Sequence, residues 1–216
     1  MNLLEMKNRL ALETAKLIFQ NSIEVVFIGG TALNTFHINY RYSEDLDLAY
    51  QTRNPKTEIE DLLVAHGYAV DKTSFNFRDI ISLDAVSIKL DVLKYEKKYN
   101  GTTTEKLGET TVTTLKIEEF SVEKTISFFT REDIAGLARD AHDLFSIENR
   151  YHNSLDLAKK AEKIIKKNVS SFNYNIDLFE NNRSKVESAV GPYLRTPIIF
   201  EDVLEFLKKL QGVLVD

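Results

Sequence analysis

Apolar residues recur at heptad spacing at the start of the chain: Leu3, Leu10 and Leu17, with Leu4, Ala11 and Ile18 beside them. That spacing predicts an amphipathic helix ending near Asn21-Ser22. The apolar run Val25-Val26-Phe27-Ile28 predicts a buried strand, broken by Gly29-Gly30, and a short helix is expected from Thr31 to about Phe36. The period then falls to two. Leu46 and Leu48 alternate with Asp45 and Asp47, as in a strand with one buried face. Residues 58–66 return to helical spacing. From Tyr68 to about Leu115 the pattern is strand-like, with turn chemistry at Asn76, Asn100-Gly101 and Gly108. Beyond Lys116 the character changes again. Segments 117–130, 132–148, 153–167 and 199–210 read as helices, while 170–198, with Pro192 and Pro197, carries no clear period. The expectation is an α/β half over 1–116 followed by a helical half over 117–216.

Composition narrows the class. A chain of 216 residues, at roughly 150 per domain, makes one large domain or one domain with a smaller companion. Hydrophobic residues are 43% and charged residues 28%, ordinary values for a soluble domain, which excludes disordered, collagen-like and disulfide-scaffold readings. Only 3 prolines and 8 glycines argue against a turn-dense sandwich. The absence of cysteine removes disulfides, iron–sulfur clusters, thiolate zinc sites and cysteine nucleophiles together. No basic-then-apolar leader and no long apolar run is visible, so a soluble, cytoplasmic protein without a membrane span is expected.

The net charge of −5 means that the surface as a whole will not attract nucleic acid. Between residues 150 and 168, however, Arg150, Lys159, Lys160, Lys163, Lys166 and Lys167 face only Asp156 and Glu162. A solvated helix face accounts for this run; a phosphate-facing patch is the alternative, and would show as salt-dependent RNA affinity.

Four features break the rules of core formation. Gly29-Gly30 sits between an apolar strand and a helix, where a backbone can approach a ligand and free N–H groups can meet a phosphate. A plain strand-to-helix turn needs the same residues, and no Gly-rich dinucleotide fingerprint or Gly-Lys-Ser/Thr follows. Asp45 and Asp47, two apart on a strand, project to one face while Leu46 and Leu48 enter the core. Two carboxylates that close are unfavourable without a cation between them, and magnesium, a hard ion, suits carboxylate oxygen. Asp91 shares a strand face with Ser87 and Lys89, opposite Val86, Ile88, Leu90 and Val92; it could complete an oxygen cage or simply meet solvent. Lys124 falls within a helical stripe of Ile117, Phe120 and Phe128, so it must snorkel out or meet an anion. If it snorkels, Lys124→Met holds or raises stability. Asp143 falls opposite the apolar face of its helix, where an i,i+4 pair with Arg139 explains it. The four histidines have no metal-ligand spacing.

Phe27-Ile-Gly-Gly-Thr-Ala-Leu33 followed by Arg41-Tyr-Ser-Glu-Asp-Leu-Asp-Leu48 resembles the nucleotidyltransferase superfamily signature of a glycine pair and an Asp-x-Asp strand. More narrowly it resembles the AbiEii/AbiGii toxin family, which continues with a lone strand aspartate, a Glu-x-Lys helix and an Arg-Asp-x-x-Asp-Leu helix. Asp91, Glu123-Lys124 and Arg139-Asp140-Ala-His-Asp143-Leu144 occupy those places here; the lysine segment lacks the intervening residue.

The resemblance implies a mixed-sheet nucleotidyltransferase domain beside an α-helical bundle. The implied activity is transfer of a nucleotide from a nucleoside triphosphate to an acceptor, RNA or tRNA in several branches, by a toxin paired with a cognate antitoxin or acting in phage exclusion. It implies a two-magnesium site on Asp45, Asp47 and Asp91, and phosphate contacts from the backbone of Gly29, Gly30 and Thr31. Lys124 would meet the triphosphate, Asp143 would orient Lys124 or the acceptor, and Arg41 and Ser43 would brace the Asp45–Asp47 strand or touch phosphate. Transfer to a protein side chain would use the same carboxylates, and a non-catalytic nucleotide- or protein-binding module is the remaining alternative.

Overall fold

The computed structural model describes residues 2–95, 101–165 and 169–215. The chain divides into two compact units, Met1–Lys116 and Ile117–Asp216.

In the first unit, α1 (Leu3–Gln20) starts in a capping box. Asn2 accepts from the Glu5 amide at 2.9 Å, and the Glu5 carboxylate accepts from the Asn2 amide at 3.0 Å. Its buried stripe is Leu10, Ala11, Ala15 and Ile18. Strand β1 (Val26–Ile28) leads straight into α2 (Gly29–Leu33), which runs on as a π-helical turn, Asn34–Ile38, closed by Asn39 in the left-handed region. The helix thus begins at the glycines rather than at Thr31. Then come β2 (Asp45–Tyr50), α3 (Lys56–Ala65), β3 (Ala69–Lys72), β4 (Arg78–Leu83), β5 (Val86–Lys94), β6 (Thr102–Leu107) and β7 (Thr110–Leu115).

The seven strands make one sheet in the order β3-β4-β5-β2-β1-β7-β6. It is mixed: β2 runs parallel to β5 and β1 parallel to β7, while the other neighbours are antiparallel. Helix α1 packs on β2, β5 and β7. The strand-like stretch after Tyr68 contains a two-residue hairpin turn, Asp84-Ala85, that its composition did not announce; Leu83 pairs with Val86, and Asp84 takes φ 55°. The turn expected at Asn100-Gly101 lies partly outside the described residues.

The second unit contains six α-helices among its described residues: α4 (Ile117–Thr130), α5 (Ile134–Tyr151), α6 (Ser154–Ile165), α7 (Val169–Asn181), α8 (Arg183–Val190) and α9 (Phe200–Val215). Its core gathers Phe128, Leu137, Leu144, Phe179, Val186 and Leu207, with Phe179 stacked on Phe200 at 5.0 Å between ring centroids. The stretch 170–198, expected to lack a pattern, holds α7 and α8. Ile176, Phe179, Val186 and Val190 supply its buried face. Asparagines and serines dilute that period, so packing rather than propensity sustains these helices. No helix among the described residues is long and apolar enough to cross a membrane.

Candidate active site

The alternation in β2 does what its period requires. Leu46 and Leu48 are fully buried, while Asp45 and Asp47 take the other face. Parallel pairing with β5 sets Asp47 beside Asp91 and Asp45 beside Lys89. One row of side chains therefore crosses four strands: Ile28 on β1, Asp47 on β2, Asp91 on β5 and Arg78 on β4.

Arg78 is the member of this row that motif reading missed. Its guanidinium grips Asp91 with two parallel bonds, Nε to Oδ1 at 2.7 Å and Nη2 to Oδ2 at 2.6 Å. Those bonds hold the guanidinium above its ordinary pKa against the cost of burial, and the charges of Asp91, Asp45 and Asp47 add to them. A signal for Arg78 exists in the sequence. Once Asp84-Ala85 is taken as a two-residue turn, counting back along both strands from Leu83 and Val86 puts Arg78 opposite Asp91.

The glycine pair presses against the carboxylates. Gly29 has φ +74°, and a Cβ there would lie 2.0 Å from Asp47 Oδ2. At Gly30 a Cβ would meet Arg41 Nη2 at 2.8 Å and Ser43 Oγ at 3.1 Å. Arg41 and Ser43 are buried, and the Arg41 guanidinium donates to the Tyr42 carbonyl at 3.1 Å. Asn8 Nδ2 donates to the Ser43 carbonyl at 2.9 Å. The Thr31 hydroxyl donates to the Asp45 carbonyl, tying α2 to β2. Gly29→Ala should therefore cost at least about 1 kcal/mol for its left-handed backbone alone and displace Asp47 as well. Urea unfolding and turnover, measured together, should both fall.

Hard carboxylate oxygens on one face suit magnesium. Asp45 and Asp47 supply two such groups, and Lys89 Nζ stands 3.5 Å from Asp45 Oδ1. Both oxygens of Asp91 are engaged by Arg78. Among the described residues no three acidic or imidazole side chains converge as a ready-made metal cage. Asp45 and Asp47 are the carboxylates here whose chemistry would suit magnesium, while Asp91 is held by Arg78.

The second unit holds a separate charged cluster. Lys124 on α4 lies 2.9 Å from Asp140 Oδ1 and 2.7 Å from Asp143 Oδ2, and Arg131 Nε lies 2.8 Å from Asp140 Oδ2. Asp140 and Asp143 are 1% and 0% exposed, and Lys124 9%. This corrects the expectation of a solvated Asp143 paired along its own helix with Arg139. Helix α5 packs against α4, α6, α7, α8 and α9, leaving no wet face at this position. Lys124 meets anions rather than snorkelling. His142 is buried, its Nδ1 2.7 Å from the Ala138 carbonyl. Of the basic run, Lys160 and Lys163 are exposed on α6, with Lys160 3.7 Å from Glu119. The Lys159 side chain, Lys166 and Lys167 lie outside the described residues.

No curated protein matches this sequence. Several solved structures share its fold. A candidate nucleotidyltransferase from H. pylori matches with TM-score 0.60 and 17% identity, over 99% of this chain and 96% of the other. JHP933 from Helicobacter pylori matches with TM-score 0.53 and 17% identity, over 97% and 89%. An antigenic nucleotidyltransferase-like protein from Paracoccidioides brasiliensis matches with TM-score 0.54 and 15% identity, over 88% and 94%. The family model described as "Nucleotidyl transferase AbiEii toxin, Type IV TA system" matches residues 14–202. With a glycine pair against an Asp-x-Asp strand and a match over most of its length, the chain belongs to the AbiEii nucleotidyl transferase toxin family.

Proposed function

We propose that this protein transfers a nucleotide from a nucleoside triphosphate to an RNA acceptor, tRNA included, with magnesium, as the toxin of a pair with a cognate antitoxin. The observation that carries the reading is the row of Asp47 and Asp91 beside Asp45, with the Gly29 backbone packed onto the Asp47 carboxylate.

In this reading Asp45 and Asp47 hold the ion. Bound there, magnesium supplies positive charge to the triphosphate and acidifies the attacking hydroxyl. The backbone N–H groups of Gly29, Gly30 and Thr31 are the candidate phosphate donors beside Asp47. Arg41 and Ser43 act beneath Gly30 as braces. The acceptor hydroxyl attacks the α-phosphorus, the bond to the β-phosphate oxygen breaks, and pyrophosphate leaves. In this reading Asp91, its carboxylate gripped by Arg78, faces the attacking hydroxyl. In the second unit Asp143, 2.7 Å away, orients the Lys124 ammonium.

The position of the label tests the reaction class. With magnesium and total RNA, α-phosphate-labelled triphosphate should mark RNA and γ-labelled triphosphate should not. Labelling by the γ-phosphate would make the protein a kinase, and labelled protein without labelled RNA would move the acceptor to a side chain. RNA also needs a track of positive charge. Reversing Lys160 and Lys163 to Glu should weaken RNA binding and flatten its dependence on salt, while triphosphate binding stays unchanged; a filter-binding series from low to physiological salt checks this.

A further inference from the structure

Phe75 and Phe77 stand on the loop between β3 and β4 with 52% and 37% of their surface exposed, in a chain whose largest side chains are otherwise mostly core. Their ring centroids are 5.7 Å apart with planes tilted by 40°. The Arg78 guanidinium lies 5.6 Å from one ring centre and 5.5 Å from the other, while its nitrogens grip Asp91. The loop is held in shape. The Thr73 hydroxyl donates to the Arg78 carbonyl at 2.8 Å, and the Arg78 amide donates to the Phe75 carbonyl at 3.0 Å. The Val92 amide donates to the Phe77 carbonyl at 2.8 Å, fastening the loop to β5 one residue beyond Asp91. Lys56 Nζ donates to the Asn76 carbonyl at 2.9 Å. Two solvent-facing rings, a cation beside both and an ordered backbone beneath make a surface that folding itself does not require.

We propose that Phe75 and Phe77 are a stacking platform for the nucleobase at the reacting end of the RNA acceptor. This rests on the nucleotidyl-transfer reading above and extends it to the acceptor's seat. Strand order decides which substrate it serves. The glycine turn follows β1 and Arg78 opens β4, with Asp47 and Asp91 between them. The nucleotidyl-transfer reading assigns the phosphates to the glycine end, so the rings at the other end adjoin Asp91, on the side it gives to the attacking hydroxyl. A base at a single-stranded RNA end offers a free π-face to such rings, and Arg78 adds a cation to the stack. A serine or tyrosine side chain of a protein acceptor brings no nucleobase.

The chain contains no tryptophan, so Phe77→Trp installs a single fluorescent reporter that can still stack. Titrated with a short single-stranded oligoribonucleotide, its emission should be quenched. An oligomer abasic at its 3′ end, or a triphosphate alone, should quench it far less. Phe75→Ala with Phe77→Ala should raise KM for the RNA acceptor by about tenfold or more and leave KM for the triphosphate unchanged; both positions are exposed, and circular dichroism verifies the fold. Equal quenching by intact and abasic RNA, or none, while wild type still labels RNA, would overturn the platform and leave the transferase reading standing. A raised triphosphate KM would overturn it by assigning the rings to the other substrate. If label enters protein and not RNA, the RNA reading fails and the platform falls with it.

Discussion

Lys124→Met should lower the free energy of unfolding by about 3–5 kcal/mol, the usual cost of removing one partner from a buried ion pair. This reverses the expectation from the helical wheel, in which a snorkelling lysine could be lost without harm. The ammonium lies 2.9 Å from Asp140 and 2.7 Å from Asp143, both carboxylates almost wholly out of water. Arg131, the second cation on Asp140, is 40% exposed along its side chain and compensates that carboxylate in part. Adding Asp143→Leu to Lys124→Met should recover much of the loss, because it removes the stranded charge together with its partner. Urea denaturation of the two variants decides the matter. An unchanged midpoint for Lys124→Met would mean that the cluster contributes nothing to the fold.

Asp47→Asn should reduce nucleotide transfer by roughly a thousandfold, equivalent to about 4 kcal/mol of transition-state stabilisation from the metal it would hold. Asparagine has nearly the shape of aspartate, so the packing against Gly29 survives and stability should change by under about 0.5 kcal/mol. Steady-state kinetics with α-labelled triphosphate measure the first quantity and thermal unfolding the second. Asp91→Asn should also depress turnover. It differs in removing the anionic partner of Arg78, whose two short bonds show how much of that carboxylate is already committed.

The carboxylate face was legible because a strand has a period of two: Leu46 and Leu48 being apolar obliges Asp45 and Asp47 to share the other side. The same rule placed Asp91. Arg78 stayed hidden because it depends on register, and register depends on a turn at Asp84-Ala85 that lacks the glycine or asparagine of a strong hairpin signal. Helices α1 and α3 could be read from their apolar spacing, whereas α7 and α8 could not, since Asn173, Asn175, Asn181 and Asn182 interrupt the period and the helices rely on neighbours for their stability. Asp143 misled for a related reason. A helix wheel assigns a wet side to any helix with polar residues opposite its apolar stripe, and α5 is covered there by other helices, with Lys124 supplying the counter-charge.

The measurement that bears most directly on the central claim compares wild type with Asp45→Asn/Asp47→Asn for incorporation of α-phosphate label into RNA, with magnesium and with a chelator. Wild type should label RNA only with magnesium, and the double variant should label none while unfolding at the same temperature as wild type. Labelling by the double variant, or by wild type in the chelator, would show that these two carboxylates do not hold the ion on which transfer depends.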